Sequence, residues 1–276
     1  TSLFLTKACA VSLASVASWT NGARLRRMSS SPSSEHASSF PSPSPAEELS
    51  ATQALWRIAR ALPIVERSYA IIRFMILRVK LLATMDLLLP AEGPILDVGC
   101  GFGLWSAYFS QMQPGRRIIG IDPNAHRIAM AQKVAEKLGV KTEFFAEDVR
   151  QTAARGPFRA VYLLDVLHHI PSADQVEVVS QLTDMLEEGG TLVIKDITTK
   201  PWLGLKFTEI LDRAMVGMKE ELAYRHHNEW SELLRDLGYS VRVVRVPDVL
   251  PYPHVIIAAT KGKRPVVVSS QSAVLN

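Results

Sequence analysis

The chain has 276 residues, 47% of them hydrophobic and 21% charged, enough for one α/β domain with a sizeable core plus appended structure and too few for two comfortable domains. Its formal charge of +4 resides in Lys7, Arg24, Arg26 and Arg27, which precede the first acid, Glu35; the other 27 of its 31 basic residues face 27 acidic ones. A balanced body lacks the positive footprint of a nucleic-acid enzyme and points to a small-molecule partner, while two cysteines, Cys9 and Cys100, at no metal-ligand spacing argue against a disulfide framework or a zinc site.

Residues 1–46 are rich in Ser, Ala and Pro and end in FPSPSPA, a composition that buries too little apolar surface to offset ordering entropy, so a disordered leader is expected. The opening TSLFLTKACAVSLASVASW is similar to a signal peptide in its apolar run and to an organelle transit peptide in its lack of acids, and translated sequence upstream of a start at Met28 accounts for it equally. The default location is cytoplasmic; a transit peptide would make it organellar.

Residues 47–90 read as a helical lid segment broken at Pro63. Between Arg57 and Lys80 stand six basic residues and one acid, Glu66. On one helix over Ile64–Leu89, plotted at roughly 100° per residue, Arg67, Arg73, Arg78 and Lys80 occupy one side and Ile64, Val65, Ile72, Met75 and Ile76 the other. Those charges make a bilayer span costly. The segment is then a lid with a solvated basic face, an interfacial helix over 57–89 touching an anionic membrane, or both.

From residue 91 to 262 apolar runs alternate with helical stretches, the pattern of a doubly wound, mostly parallel sheet covered on both faces. PILDV is the first strand, followed by a glycine loop and a helix from Leu104. RIIGI is the second, after which Pro123 suits the first position of a helix ending at Gly139. VKTEFFA and AVYLLDV are the third and fourth. Ser172 and Gln175 read as a capping box for a helix that Gly189 and Gly190 end. TLVIKDI is the fifth strand, residues 197–240 an insertion with two helical parts, and VRVVRV and HVIIAAT a closing hairpin; 263–276 reads as a flexible tail.

The sharpest local signal is LDVGCGFG, in which Gly99, Gly101 and Gly103 turn the end of the first strand into a helix. A Cβ there would obstruct both the turn and a ligand lying on the backbone. A dinucleotide loop reads G-x-G-x-x-G, which Leu104 breaks, and a pyrophosphate would be repelled by Asp97 just before the loop. S-adenosylmethionine (SAM) has no phosphate and carries a sulfonium and an ammonium, so an acid there suits it. Asp122 and Asp148 follow the second and third strands, at the edge where doubly wound sheets bind ligands. Asp122 suits the ribose hydroxyls; Asp148 and the Val149 amide suit the adenine edge.

The series LDVGCGFG, GIDP, AEDV, YLLDVLHHI and LEEGGTLVIKD resembles class I SAM-dependent methyltransferases, in the branch acting on small molecules and lipids, over about Pro94 to Lys261. The resemblance implies a seven-stranded sheet whose last strand is antiparallel, SAM as cofactor, and a donor site of Asp97, Gly99, Cys100, Gly101, Gly103, Asp122, Pro123, Asp148, Val149 and Asp165. It also implies acceptor selection by the insertion, with Tyr224, His226 and His227 as candidates beside Tyr252.

Methyl transfer is an in-line displacement that needs a base only when the acceptor loses a proton. His168 and His169, after the fourth strand, are either that base or a packing pair. Likewise His226 and His227 are either acceptor-side residues or the approach to a helix capped by Asn228. Ile197 follows Asp196 where metal-dependent relatives have Asn, and DVLH departs from the motif of base and glutamine N-methyltransferases, so no metal and a small, hydrophobic or lipid-like acceptor are expected, O-methylation ahead. The competing readings are a non-catalytic methyltransferase-like subunit and a nicotinamide-dependent reductase. Oligomeric state leaves no mark in the sequence.

Overall fold

The computed structural model describes residues 49–151, 156–200, 202–216, 222–246 and 253–262. The expected leader, the tail and Tyr252 lie outside them. Seven strands form one sheet: β1 (Gly93–Val98), β2 (Arg116–Asp122), β3 (Thr142–Ala146), β4 (Phe158–Leu164), β5 (Leu186–Ile197), β6 (Tyr239–Arg245) and β7 (His254–Lys261). Their order is β3-β2-β1-β4-β5-β7-β6. β7 runs antiparallel to both neighbours, so the last strand in sequence is inserted between β5 and the rim strand β6. The chain steps outward from β1 to β3 and restarts at β4 on the other side, which opens a crevice beyond the ends of β1 and β4.

Successive strand residues face opposite layers, so the central strands read as unbroken apolar runs. Ile95, Ile118, Ala160, Tyr162 and Val193 pack on one side. Leu96, Ile119, Val161, Leu163 and Leu192 pack on the other. The first layer receives α1 (Ala51–Ala61), α3 (Val79–Asp86) and α4 (Leu104–Met112), and the second α6 (Ser172–Asp184) and α8 (His227–Asp236). Between α4 and α6 in sequence lies α5 (Ala125–Leu138); α2 (Ile64–Ile76) joins α1 to α3, and α7 (Trp202–Val216) follows β5.

The N-terminal segment differs from the single amphipathic lid read from sequence. α1 starts at a capping box of Ser50 and Gln53 and rests on α4 and α5. Its Ala54, Ile58 and Leu62, with Leu81, Leu82 and Met85 of α3, are core residues. Between them α2 ends at Ile76, with Leu77 as its C-cap, because Leu77 is fully buried and the chain turns to insert it. The basic side is also spent internally: Arg67 donates to the carbonyls of Ala59, Arg60 and Leu62, closing the C-terminus of α1, and Arg73 reaches Asp165.

Four local expectations need correction. Asn124, not Pro123, begins α5, its side chain accepting from the Arg127 amide. Pro171 is the N-cap of α6 and Ser172 makes no cap bond, since Gln175 is drawn inward to loop carbonyls. Gly189 and Gly190 do not stop a helix; they lie in β5, in a register shift between the Phe158–Leu186 and Ala160–Thr191 pairs, and Gly189 has φ 79°. α8 is capped by His226, so Asn228 falls inside it.

One buried cation staples the N-terminal helices to the sheet. Arg116, 1% exposed on β2, ion-pairs with Asp86 and donates to the carbonyls of Asp86, Leu89, Pro90 and Phe109. Removing one partner of a buried pair strands the other charge. Arg116→Met is expected to cost about 3 to 5 kcal/mol of unfolding free energy, read from urea denaturation midpoints at unchanged m-value.

Candidate active site

Beyond the ends of β1, β2 and β4 lies a cavity of about 470 Å³. Gly99, Cys100, Gly101, Asp122, Pro123, Asp148, Val149, Asp165, His168 and His169 line it, bringing together most of the residues singled out in sequence. Asp122 organises the donor side. Its Oδ2 accepts from the Gly101 amide at 3.0 Å and its Oδ1 from the Asn124 amide at 2.9 Å, which ties the glycine loop to the turn after β2 and leaves each oxygen a second lone pair. A Cβ at Gly101 would meet nothing nearer than Asp122 Oδ2 at 4.0 Å, so it would occupy the cavity itself.

Asp97 and Gly103 are outside the lining. Asp97 is buried beneath the loop, where its Oδ2 accepts from Ser106 at 2.5 Å and Tyr162 at 2.7 Å. Burial, aided by the nearby Asp122 charge and opposed by those two bonds, pushes its carboxyl up to about 7. Gly103 serves packing: with φ 69°, its missing Cβ leaves room for Phe144 and Ala131. Cys100 lines the cavity, but burial pushes its thiol up, so it is unreactive. Asp148 is held by its neighbour Arg150, whose guanidinium keeps the carboxyl below its ordinary value and also reaches Asp174 on α6 at 3.1 Å.

On the acceptor side Asp165 adopts φ 58°. Its carboxylate pairs with Lys195 of β5 and, at 3.0 Å, with Arg73 of α2. Burial alone would raise this carboxyl; Lys195 and Arg73 together hold it well below the carboxylate range. Next to it, His168 Nδ1 lies 2.6 Å from Asp196 Oδ1. A carboxylate only accepts, so Nδ1 carries the proton and Nε2 is the basic nitrogen. The His168 ring stacks on Tyr224 at 5.0 Å and 19°. His169 packs against His168 at 4.2 Å, and burial lowers it to about 4, which makes it the poorer base.

The other two candidate histidines do not line this cavity. His226 accepts from the Asn228 amide as the cap of α8. His227 is buried, with Nδ1 2.8 Å from Thr198 Oγ1 and burial lowering its ring. Conversely, Tyr69 and Arg73 of α2, with Phe102, Trp105, Arg127 and Arg150, line the cavity without having been singled out in sequence.

Residues 95–190 match a family model described as a methyltransferase domain. Over that stretch the chain is similar to class I, Rossmann-like SAM-dependent methyltransferases. Among curated proteins, the chain is similar to the ubiquinone biosynthesis O-methyltransferases of Bradyrhizobium sp. (27% identity over 51% of this chain and 52% of that protein) and Paramagnetospirillum magneticum (29% over 57% and 64%). It thus spans about half the length of the relatives it matches. Among solved structures, it shares the fold of the SAM-dependent methyltransferase SibL in its apo form (TM-score 0.60, 17% identity, 80% of this chain and 64% of that one). It shares it also with magnesium protoporphyrin IX methyltransferase from Synechocystis with bound SAH (TM-score 0.53, 22% identity, 78% and 95%).

SAM is the cofactor of this class, and the cavity suits it: an open place at Gly101, carboxylates at Asp122 and Asp148, and an acid under the loop favour a phosphate-free cation. Because the Asp97 carboxyl is raised in the folded protein, its favourable contribution is complete below about pH 4 and lost as pH rises through about 7. Asp97→Asn keeps an oxygen for Ser106 and Tyr162 while removing the charge. Urea denaturation is therefore expected to show the variant gaining stability on the wild type between pH 5 and 8; a constant difference would contradict the assignment.

Proposed function

We propose that this protein holds SAM in the cavity and methylates an oxygen of a small, hydrophobic or lipid-like acceptor, with His168 as general base. The observation that carries the reading is His168 in the cavity wall, a buried imidazole whose tautomer is set by the carboxylate of Asp196, which does not itself line the cavity. Asp122 and Asp148 would hold the ribose and adenine, with the Val149 amide beside them. Asp97 would act from beneath the glycine loop, and Asp165 would shape the floor near the methyl group. SAM, when bound, supplies an electrophilic methyl group on a sulfonium. As the acceptor oxygen bonded to the methyl carbon and the carbon–sulfur bond broke, the sulfur leaving as a neutral thioether, His168 would take the hydroxyl proton and Asp196 would stabilise the imidazolium. Tyr224 stacks on that ring and would shield it from water. The relatives, named O-methyltransferases, favour oxygen as the nucleophile.

Two variants separate donor from acceptor functions. Asp122→Ala is expected to weaken SAM binding by about 2 to 3 kcal/mol in calorimetry, the worth of its charge-assisted bonds. His168→Gln is expected to keep SAM affinity while lowering turnover on a phenolic acceptor panel with methyl-labelled SAM by roughly 10²- to 10⁴-fold. Label appearing on amines alone, or an unchanged rate in His168→Gln, would overturn the oxygen-and-base reading.

The N-terminal helices supply a route for such an acceptor. No helix among the described residues is long and apolar enough to cross a membrane. Yet Trp56, Ile64, Val65, Ile72 and Met75 are exposed, Ile64 at 81%, and the exposed charges of the same segment, Arg57, Arg60, Arg78 and Lys80, are all basic. Such a surface favours peripheral contact with an anionic bilayer. The protein is expected to sediment with anionic vesicles at low salt and be released at high salt, and Ile64→Glu with Val65→Glu to abolish sedimentation; a protein that stays in the supernatant at low salt removes the membrane from the reading.

A further inference from the structure

We infer that Gln175 is a positioning residue that sets the orientation of the His168 ring by clamping together the turn that carries it and the chain segment that stacks on it. The inference rests on the reading of His168 as the base. Gln175 lies in the first turn of α6, is completely buried, and does not line the cavity. Its Nε2 lies within hydrogen-bond distance of the carbonyls of Leu167 at 2.8 Å, Ile170 at 3.0 Å and Ala223 at 2.8 Å, its two hydrogens shared among the three. Leu167 and Ile170 bracket the single 3₁₀ turn Leu167–His169. Ala223 immediately precedes Tyr224, whose ring stacks on His168, and the Ala223 amide donates to the His168 carbonyl at 2.8 Å. On its other side, Gln175 Oε1 accepts from Arg225 Nε at 2.7 Å, and Arg225 reaches the Ser172 carbonyl at 3.1 Å.

One amide thus joins the turn after β4 and the start of α6 to a segment 48 to 50 residues later, and it holds both faces of the problem: the backbone under His168 and the ring over it. The chemistry is specific to glutamine. The site demands N–H donors toward three carbonyls and an acceptor toward a guanidinium at the tip of a side chain of that length. Glutamate has no donors, methionine has neither function, asparagine is one methylene too short, and lysine or arginine has no acceptor. Because the surroundings are buried, losing the amide leaves carbonyl oxygens without donors rather than returning them to water. The consequence falls on the ring plane of His168, which faces Tyr224 on one side and His169 on the other.

The test uses the full chain saturated with SAH and labelled with ¹⁵N-histidine. The His168 ring signals are assigned by their loss in His168→Gln, and a 4-alkylcatechol serves as the acceptor probe. Gln175→Met, apolar and of similar volume, is expected to keep SAH affinity within about twofold, to move the titration midpoint or tautomer signature of His168, and to lower turnover about tenfold, the equivalent of one net hydrogen bond. In a His168→Gln background the same substitution is expected to cost no further rate, because the ring it positions is gone. Gln175→Glu, which keeps the Arg225 contact but not the donors, is expected to act in the same direction and stands in if the Met variant does not fold. Unchanged His168 signals in a folded variant, a parallel loss of SAH affinity, or additive rate losses in the double variant would overturn the positioning role. If His168→Gln alone leaves the rate unaltered while Gln175→Met still moves the ring signals, the base assignment fails and the clamp stands.

Discussion

The carboxylate of Asp165 is the point on which the acceptor half of the cavity depends. It sits at the end of β4, pairs with Lys195 of the neighbouring strand and Arg73 of α2, and its own amide donates to the Lys195 carbonyl at 2.9 Å. The left-handed backbone needed to aim it this way costs on the order of 1 to 3 kcal/mol in a non-glycine residue, and the two cations make it sustainable. Without Asp165, Lys195 and Arg73 would be two buried like charges facing each other. α2 buries only Ala70 and Ile76 among its described side chains, so Arg73 is a principal reason that this helix stays over the cavity and presents Tyr69 to it. The position of α2 thus owes as much to charge as to the packing of Tyr69 on Phe102 and of Phe74 on Trp105.

The donor half is built on different physics. There the polar groups are backbone amides presented by glycine turns, and Asp122 gathers them from two strands. The carboxylate that sequence places closest to the loop, Asp97, is too deeply buried to face the cavity; it acts on the loop's surroundings, through Ser106 on α4 and Tyr162 on β4. Donor side and acceptor side meet at Val166, whose methyl groups occupy the space a Cβ at Gly99 would need, 2.6 Å away. The first glycine of the loop thus serves strand-to-strand packing as much as ligand approach.

This contrast explains what was legible in the sequence. The sheet, the glycine loop and the acids after β2 and β3 depend on local signals, namely apolar runs, glycine spacing and polar residues at strand ends, and these read correctly. The partner of His168 did not. Asp196 is 28 residues away and becomes its neighbour because Leu164 pairs with Lys195 in the sheet, a register that the irregular start of β5 conceals. Gln175 matched a capping box, since its spacing from Ser172 carries no information about the carbonyls waiting inside. Arg67 and Arg73 looked solvated because a helical wheel assumes one uninterrupted helix with one wet side, and the break at Leu77 removes that premise. His226 and His227 are adjacent and identical in type, yet one caps a helix and the other is buried against Thr198; only the cap of α8, two residues earlier than expected, separates them.

The rims of the sheet bear on how the protein behaves at high concentration. One rim, β3, is five residues long, carries an exposed Glu143 paired with Arg117, and has its Phe144 carbonyl capped by the Gln132 side chain from α5. The other, β6, carries exposed Arg242 and Arg245 among half-buried valines. A strand from a second molecule approaching either rim would meet charge and an already occupied acceptor in place of a bare hydrogen-bonding edge. Self-association by edge-to-edge strand addition, the usual hazard of an open sheet with apolar strands at its centre, is thereby discouraged along both borders of this one.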